Sequence, residues 1–235
     1  MTQPKNNPHT SQRAIFHIQR LNTPWKEIAH LGIRKQLSRD CEATVSLKTH
    51  FLFLEQGTIR LSGISSAGQE RIFMYMGQET IAGELAFLHS ASFRTHSLRT
   101  QTPCRVIYFP NTLLDDLDFA TRYPHLMMNL VRSIGIKAGA FFSQIYDNAL
   151  LSNRTQVCRT LYDLWQQNGR QSTFSPGLSQ SDLTAIIGIH RSSVCRALKE
   201  LRQWGVVGHF SKTCLEILDP QRLTDLAELA EINGF

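Results

Sequence analysis

Polar side chains that can form hydrogen bonds are concentrated at the start of a short amphipathic helix near the C-terminus. Within the stretch LSQSDLTAIIGIHRSSVCRALKELRQWGVV, from Leu178 to Val207, they are Arg191, Ser192, Ser193 and Arg196. An arginine can donate two hydrogen bonds to O6 and N7 of guanine, and a serine can pair with a base or a phosphate. Few of these side chains are needed for packing, so their chemistry indicates a surface that binds a polar partner.

Two helices around a glycine turn would hold these side chains in place. Ser179 is predicted to cap the first helix through its hydroxyl, and Gly188 to end that helix with a positive φ. In the second helix Val194, Leu198 and Leu201 recur at spacings of 4 and 3 and predict its buried stripe. The polar cluster therefore lies on the opposite, exposed face.

Two helices joined by a short glycine-containing turn form the helix-turn-helix pattern, whose second helix faces base edges in the major groove of DNA. The runs VVGHF and CLEIL, on either side of the turn SKT, predict a two-stranded wing. From Leu151 to Leu215 the chain carries eight basic and three acidic residues, a net charge of +5, which favours a polyanionic partner. An ordinary helical hairpin with a solvated face is the alternative, but the wing and the charge favour DNA binding.

The composition indicates a globular protein with two domains. The chain has 235 residues, of which 42% are hydrophobic and 19% charged, and a net charge of +6. Its five cysteines are scattered without a Cys-x-x-Cys pair, which argues for a reducing compartment and against zinc or iron–sulfur ligation. The N-terminus lacks an apolar leader, and no stretch approaches the length of a membrane span. We therefore expect a cytoplasmic protein without a membrane partner.

Short β-rich runs between about Phe51 and Phe109, separated by turn residues, predict a sandwich or barrel, here interpreted as a β-roll. After Pro110 the sequence becomes helical, with a long helix predicted from Pro124 to about Leu151. Apolar residues of this helix recur at spacings of 3 and 4, which is typical of a coiled-coil seam, although packing on the β-roll would produce the same pattern. The seam residues are Met127, Val131, Ile134, Ala138, Phe141, Ile145 and Ala149.

From about Phe51 to Asp219 the chain resembles the CRP/FNR family of bacterial transcription regulators. The resemblance rests on HRSSVCRAL, similar to the family's recognition helix, and on GELAFLHSASFRT at 83–95, similar to its phosphate-binding cassette. It implies an α+β fold with an N-terminal double-stranded β-helix (β-roll), a long dimerisation helix and a C-terminal winged helix-turn-helix domain. The expected domains are a polar N-terminal arm (1–20), an effector-sensing β-roll (21–123), the dimerisation helix (124–151) and the DNA-binding domain (152–235).

The cassette resemblance implies an effector site for an anion. Gly83 and Leu85 would offer backbone amides, Arg94 and Thr95 would hold a phosphate, and Glu84 would accept from a ribose hydroxyl. A simple ion pair between Arg94 and Glu84 is the alternative interpretation. The expected effector is therefore a cyclic nucleotide or another anionic small molecule.

Phe141 and Phe142 depart from the pattern of the cyclic-AMP-responsive members, which present small hydroxyl residues to the adenine at these positions. Aromatic rings can stack on a base but cannot reproduce those hydrogen bonds. Both residues are predicted to line the effector site, so the alternatives to cyclic AMP are a different nucleotide or no effector.

The recognition-helix resemblance implies DNA contacts by Arg191, Ser193 and Arg196. Ser192 stands where many members carry a glutamate that reads cytosine, so we expect the half-site to differ at that base pair. Gln180, beside the cap residue Ser179, matches a position that contacts the DNA backbone or a base edge, and both residues are predicted to belong to the DNA-binding set. Cys195, among these residues, is either a redox thiol or a small packing residue.

The sequence thus predicts a DNA-binding transcription regulator, not an enzyme. As a homodimer it would bind a palindromic operator in double-stranded DNA under the control of a small effector, with RNA polymerase as a candidate partner. The alternatives are a ligand-sensing module that acts on a partner protein and a cupin-like metal-dependent enzyme, although no His-x-His motif supports the latter.

Other sensor chemistries find little support in the sequence. Haem would need an axial ligand such as His89 or His96, but a single histidine near a cavity is more often a packing or surface residue. An iron–sulfur cluster would need four N-terminal cysteines, whereas the first hundred residues contain only Cys41. Neither cofactor is therefore expected.

Overall fold

The chain forms two compact units, whose boundary falls inside a long helix, between Phe141 and Phe142. The first unit contains the β-roll and the second the winged helix-turn-helix, so the predicted α+β fold class is confirmed. The computed structural model describes residues 17–43, 49–65, 68, 70–84 and 96–228.

Two four-stranded sheets make up the β-roll, with strand orders β1-β5-β4-β7 and β2-β8-β3-β6. All neighbours within these sheets are antiparallel except β1, which runs parallel to β5. The strands are β1 (His17–Ile18), β2 (Ile33–Leu37), β3 (His50–Gln56), β4 (Ile59–Ile64), β5 (Glu70–Met76), β6 (Thr80–Ala82), β7 (His96–Thr100) and β8 (Cys104–Pro110).

The core of the roll forms where apolar strands meet a short 3-10 helix, Thr23–Leu31. Strand β3 is buried at four consecutive positions because it lies between β8 and β6 and is covered on both faces. Trp25 of the 3-10 helix packs edge-on against Phe51, with ring centroids 5.6 Å apart. The core consists of Trp25, Ile28, Phe51, Phe53, Ile81, Ile107, Phe109, Phe119, Leu126 and Leu130.

Strands β1 and β2 were not predicted from the sequence. Strand β1 lies inside the segment 1–20 that was expected to be a polar arm, and its His17 pairs with Tyr75. Four of the five residues of β2 are exposed, so this edge strand lacks the apolar alternation that identifies a half-buried strand. The first strand of the β-roll therefore begins at His17, before residue 21, where the domain was expected to start.

Two helices follow the roll in sequence, α1 (Leu117–Arg122) and the long α2 (Pro124–Leu150). In α2 the predicted seam is divided between two faces. Met127 and Ile134 pack against the core of the roll, whereas Val131 is 61% exposed and Ile145 is 63% exposed. The apolar pattern of the sequence is thus the sum of an inward stripe and an outward one.

The second unit confirms the predicted helix-turn-helix and wing. Its helices are α3 (Asn153–Gln167), α4 (Gln180–Ile187), α5 (Arg191–Gln203) and α6 (Pro220–Glu228). Strands β10 (Val207–Phe210) and β11 (Leu215–Ile217) form the wing, and β9 (Thr173–Phe174), which was not predicted, pairs with β11.

Candidate effector site and nucleic-acid interface

The described part of the cassette begins directly after β6. Gly83 adopts a φ of 93°, a left-handed conformation that a side chain would disfavour, and Glu84 is 1% exposed. Leu85, Arg94 and Thr95 lie outside the described residues, as do His89 and the side chain of His96. Two of the five predicted cassette residues can therefore be placed.

Glu84 is paired with a lysine that the sequence analysis did not identify. The Lys137 ammonium, on α2, donates to the Glu84 carboxylate and also to the carbonyl oxygen of Ile81, at 2.8 Å. Both charged side chains are almost completely buried. Two opposite charges removed from water stabilise each other only as a pair, so Glu84 is held by α2 as well as by the roll.

The sequence contains a pattern that could have identified Lys137 as a buried residue. With Leu126, Leu130 and Ser133 it lies at spacings of 4, 3 and 4, which is the stripe of α2 that faces the roll. A lysine in the middle of a buried stripe needs an acidic or carbonyl partner. The partner could not be named because it is 53 residues away in the chain.

The two phenylalanines of α2 lie in different environments. Phe141 is half-buried, and its ring packs edge-on against Phe73 of β5, with centroids 6.1 Å apart. Phe142 is 72% exposed. Neighbouring positions on a helix point about 100° apart, so within one chain the structure does not bring both rings to the same site.

The helix-turn-helix is fixed by local capping. Ser179 accepts from the Asp182 amide at 3.1 Å while Asp182 accepts from the Ser179 amide at 2.8 Å, a capping box that confirms the predicted cap. Gly188 ends α4 with a φ of 76°, also as predicted. These two features set the turn that leads into α5.

The predicted DNA-facing residues form one polar surface on the second unit. Arg191, Ser192 and Arg196 are exposed, and Ser193 is half-buried. Within the described residues, neither the Arg191 nor the Arg196 guanidinium forms a hydrogen bond or an ion pair. Gln180 joins this surface, because the Cys195 thiol lies 3.6 Å from its Oε1 atom.

Several other polar groups at this surface already have partners within the protein. His190, at the N-cap of α5, contacts Ser192 through its Nδ1 atom, and Asn153 of α3 donates to the Ser193 hydroxyl at 3.2 Å. Sequence reasoning missed both partners, because histidine is not among the preferred N-cap residues and Asn153 is 40 residues from Ser193.

Part of the basic charge of this unit serves the fold. Arg154 forms an ion pair with Glu200 at 2.7 Å and lies over the Trp204 ring, and Arg159 pairs with Asp147 at 2.7 Å. The sequence count therefore overstates the charge available to a ligand. Of the other six, Arg170 donates to Gln166 and Arg202 to the carbonyl oxygen of Gly208. The basic residues that are exposed without such a partner in the described part of the chain are Arg191, Arg196, Lys199 and Lys212.

The cysteines of this unit differ in accessibility. Burial raises the pKa of the Cys158 thiol to about 12, so Cys158 is an unreactive packing residue. Cys195 is exposed on α5.

Two family models match the chain. The cyclic nucleotide-binding domain matches residues 46–118, and the Crp-like helix-turn-helix domain matches residues 155–226. The cAMP-activated global transcriptional regulator CRP of Haemophilus influenzae is 22% identical over 169 residues, which cover 70% of this chain and 74% of that protein. These matches are to transcription regulators, which are not enzymes.

Solved structures share the fold. CprK complexed with OCPA has a TM-score of 0.72 at 17% identity and covers 91% of this chain and 99% of CprK. The c-di-GMP responsive global regulator CLP of Xanthomonas campestris has a TM-score of 0.70 at 16% identity and covers 82% of this chain and 97% of CLP. At these identities the similarity concerns the architecture alone.

Two further observations concern ligands and membranes. The described segments contain no group of three or more His, Cys, Asp or Glu side chains placed to hold a metal ion. Among the helices of the same segments, none combines the length and the apolar character that crossing a bilayer requires.

Proposed function

Since this chain belongs to the CRP/FNR family of DNA-binding transcription regulators, we propose that it acts as a homodimer, which binds a palindromic operator under the control of a small effector in the β-roll. The observation that carries the proposal is an exposed apolar face on α2. Its residues are Met128, Val131, Gly135, Ala138, Phe142, Ile145 and Ala149.

The spacing of this face supports a pairing helix. Its residues recur strictly at alternating intervals of 3 and 4, the heptad pattern by which two helices pack together. Met128 is 53% exposed, and Val131, Phe142 and Ile145 are exposed further. Apolar side chains in such a row are normally covered, and a second copy of α2 offers a complementary surface because a two-fold dimer presents the same face twice.

Dimerisation gives the recognition helices their spacing. Two copies of α5 related by a two-fold axis would enter successive major grooves with half-site centres ~34 Å apart. The exposed guanidinium groups of Arg191 and Arg196 are available for guanine, since no acidic side chain of the described protein neutralises them. An activator of this kind would contact RNA polymerase as a further partner.

The effector would act through the buried pair of Glu84 and Lys137. Because Lys137 belongs to α2, a ligand that hydrogen-bonds Glu84 or displaces the ammonium changes the contact between the cassette and the proposed dimer helix. Phe73 and Phe141 supply aromatic surface beside β5, where a planar ring of the ligand can pack. We infer an anionic small molecule with a planar group, and a cyclic nucleotide is the first class to test.

The relatives named above carry different ligands in their descriptions: CRP is cAMP-activated, CLP is c-di-GMP responsive and CprK is complexed with OCPA. The effector of this protein therefore has to be identified by binding measurements. We would titrate the purified protein with cyclic AMP, cyclic GMP and c-di-GMP by calorimetry, with Arg94→Ala as the control. Saturable binding that the variant loses supports a nucleotide effector in the cassette.

If none of the three nucleotides binds, the assignment of a nucleotide effector is contradicted. This result does not affect the proposed DNA binding, which has a separate test. That test is the affinity of the apo-protein for its selected operator. An operator-binding protein without a nucleotide ligand would respond to a different small anion or bind DNA constitutively.

A further inference from the structure

We propose that His190 accepts a hydrogen bond from the Ser192 hydroxyl and thereby leaves Ser192 able only to accept one from DNA. The recognition helix would then select a base with an exocyclic amino group at one position of the half-site. The inference deepens the proposed function and rests on it, because it requires the start of α5 to face base edges. The residue concerned, Ser192, stands where many family members carry a glutamate.

The backbone determines which nitrogen of His190 carries the proton. The Ser192 amide N–H donates to the Nδ1 atom of His190 at 3.3 Å and thereby caps α5. An amide N–H cannot accept a hydrogen bond, so Nδ1 must present its lone pair. The proton of the neutral ring therefore lies on Nε2.

This tautomer determines the direction of a second hydrogen bond. The Ser192 hydroxyl oxygen lies 2.8 Å from the same Nδ1 atom. Since Nδ1 has no proton to give, the hydroxyl must be the donor. A serine hydroxyl has only one proton, so the Ser192 Oγ atom is left with lone pairs alone and can only accept from a ligand.

An acceptor in the major groove distinguishes between the bases. Adenine presents its N6 amino group and cytosine its N4 amino group, whereas guanine and thymine present the oxygens O6 and O4. A serine with a freely rotating hydroxyl would accommodate either kind of edge. With its proton donated to His190, Ser192 favours adenine or cytosine, and it has the same polarity as a carboxylate at this position.

The neighbouring serine keeps its hydroxyl proton. Asn153 donates to the Ser193 hydroxyl oxygen, so the Ser193 proton stays available for donation to a ligand and one lone pair stays available as an acceptor. An outward donor suits a phosphate oxygen, which carries no sequence information. Ser193 is therefore a matched control for Ser192, because the two serines are adjacent on one helix and only Ser192 has its hydroxyl proton engaged by a partner within the protein.

The test is a set of competition-binding measurements on half-site variants with each base at each position. The wild-type protein should prefer A or C over G or T by about fivefold at one position, a typical value for one hydrogen bond, and Ser192→Ala should abolish that preference. His190→Gly should abolish it equally, because glycine is accepted at helix N-caps but supplies no acceptor for the hydroxyl. Ser193→Ala should lower the affinity for all sequences by a similar factor and keep the preference.

The double variant His190→Gly/Ser192→Ala tests whether His190 acts by orienting the Ser192 hydroxyl or by stabilising α5 as a whole. If His190 acts through Ser192, the double variant discriminates at that position no worse than either single variant. Circular dichroism of each variant confirms that α5 is still folded.

Three results would overturn the inference. They are a wild-type preference for G or T at the position that Ser192→Ala affects, a preference that survives in His190→Gly, and additive losses in the double variant. A wild-type protein that binds all half-site variants equally would overturn the proposed function itself, and the inference with it.

Discussion

One charged pair of the β-roll and two charged side chains of the helix-turn-helix unit lie in opposite environments. In the roll, Glu84 and Lys137 are buried and satisfy each other, whereas on α5 the guanidinium groups of Arg191 and Arg196 are exposed. A buried pair holds two elements together and is costly to break. An exposed, unpaired charge contributes little to stability and is free for a ligand. Glu84 and Lys137 therefore hold two elements of the roll together, whereas the guanidinium groups of Arg191 and Arg196 remain accessible to a ligand.

The largest expected effect concerns the exposed face of α2. Val131→Asp would place two unpaired carboxylates in the proposed interface, one from each copy, at a cost of about 3 kcal/mol each and about 6 kcal/mol in total. We expect a dimer that becomes a monomer at micromolar concentration, measured by sedimentation velocity. Thr121→Asp, at an exposed position of α1, introduces the same charge outside this face and should leave the dimer intact. Equal sedimentation of Val131→Asp and the wild type would show that this face is not the interface.

Removing one partner of the buried pair tests how much Glu84 and Lys137 contribute to the stability of the β-roll. Lys137→Met leaves the Glu84 carboxylate buried without its cation and should reduce the free energy of unfolding of the β-roll by about 3–5 kcal/mol. Denaturant titration, followed by amide exchange in β6, measures this. The double variant Lys137→Met/Glu84→Gln should recover part of the loss, since no unpaired charge remains. A single variant as stable as the wild type would mean that the pair does not hold the roll to α2.

Substitutions on the recognition helix should change DNA binding and leave stability unchanged. Arg196→Ala is expected to weaken binding to the selected operator by about 1–3 kcal/mol and to relax one base position, without lowering stability. Fluorescence anisotropy with operator and scrambled DNA measures both quantities. The control Lys199→Ala, on the same helix and exposed, should weaken binding to both DNAs alike. An unchanged sequence preference in Arg196→Ala would remove this residue from the base-reading set.

The smallest effect is expected at the cap of α4. Ser179→Ala removes the hydroxyl that accepts from the Asp182 amide and should destabilise the second unit by about 1 kcal/mol. Ser181→Ala, two residues further along the chain and exposed, lacks a cap role and should change the melting temperature very little. If the two alanine variants melt together, the capping box does not stabilise this helix.

The two units also differ in how far the sequence predicts them. The helix-turn-helix depends on local chemistry, namely the cap Ser179, the left-handed Gly188 and a buried stripe within one helix, and each of these was predicted and is confirmed. The β-roll depends on pairing between distant segments. Its two-residue strand β1 and exposed edge strand β2 carry no periodic pattern, so they could not be found before the partner strands were known.

The same distinction applies to the candidate sites. The exposed position of Arg191 and Arg196 follows from the helical period and could be predicted. The pairing of Glu84 with Lys137 could not, because only the fold brings them together across 53 residues. His190 is a local partner of Ser192, but its role depends on ring orientation, which no sequence pattern specifies.

The most direct test of the account is a selection of binding sites from random DNA by the purified protein. We predict an inverted repeat whose half-site centres are ~34 Å apart, about one helical turn, and that Val131→Asp fails to enrich the repeat. Enrichment of a single, unrepeated site by both proteins, or of no sequence at all, would contradict a dimeric regulator that reads a palindrome.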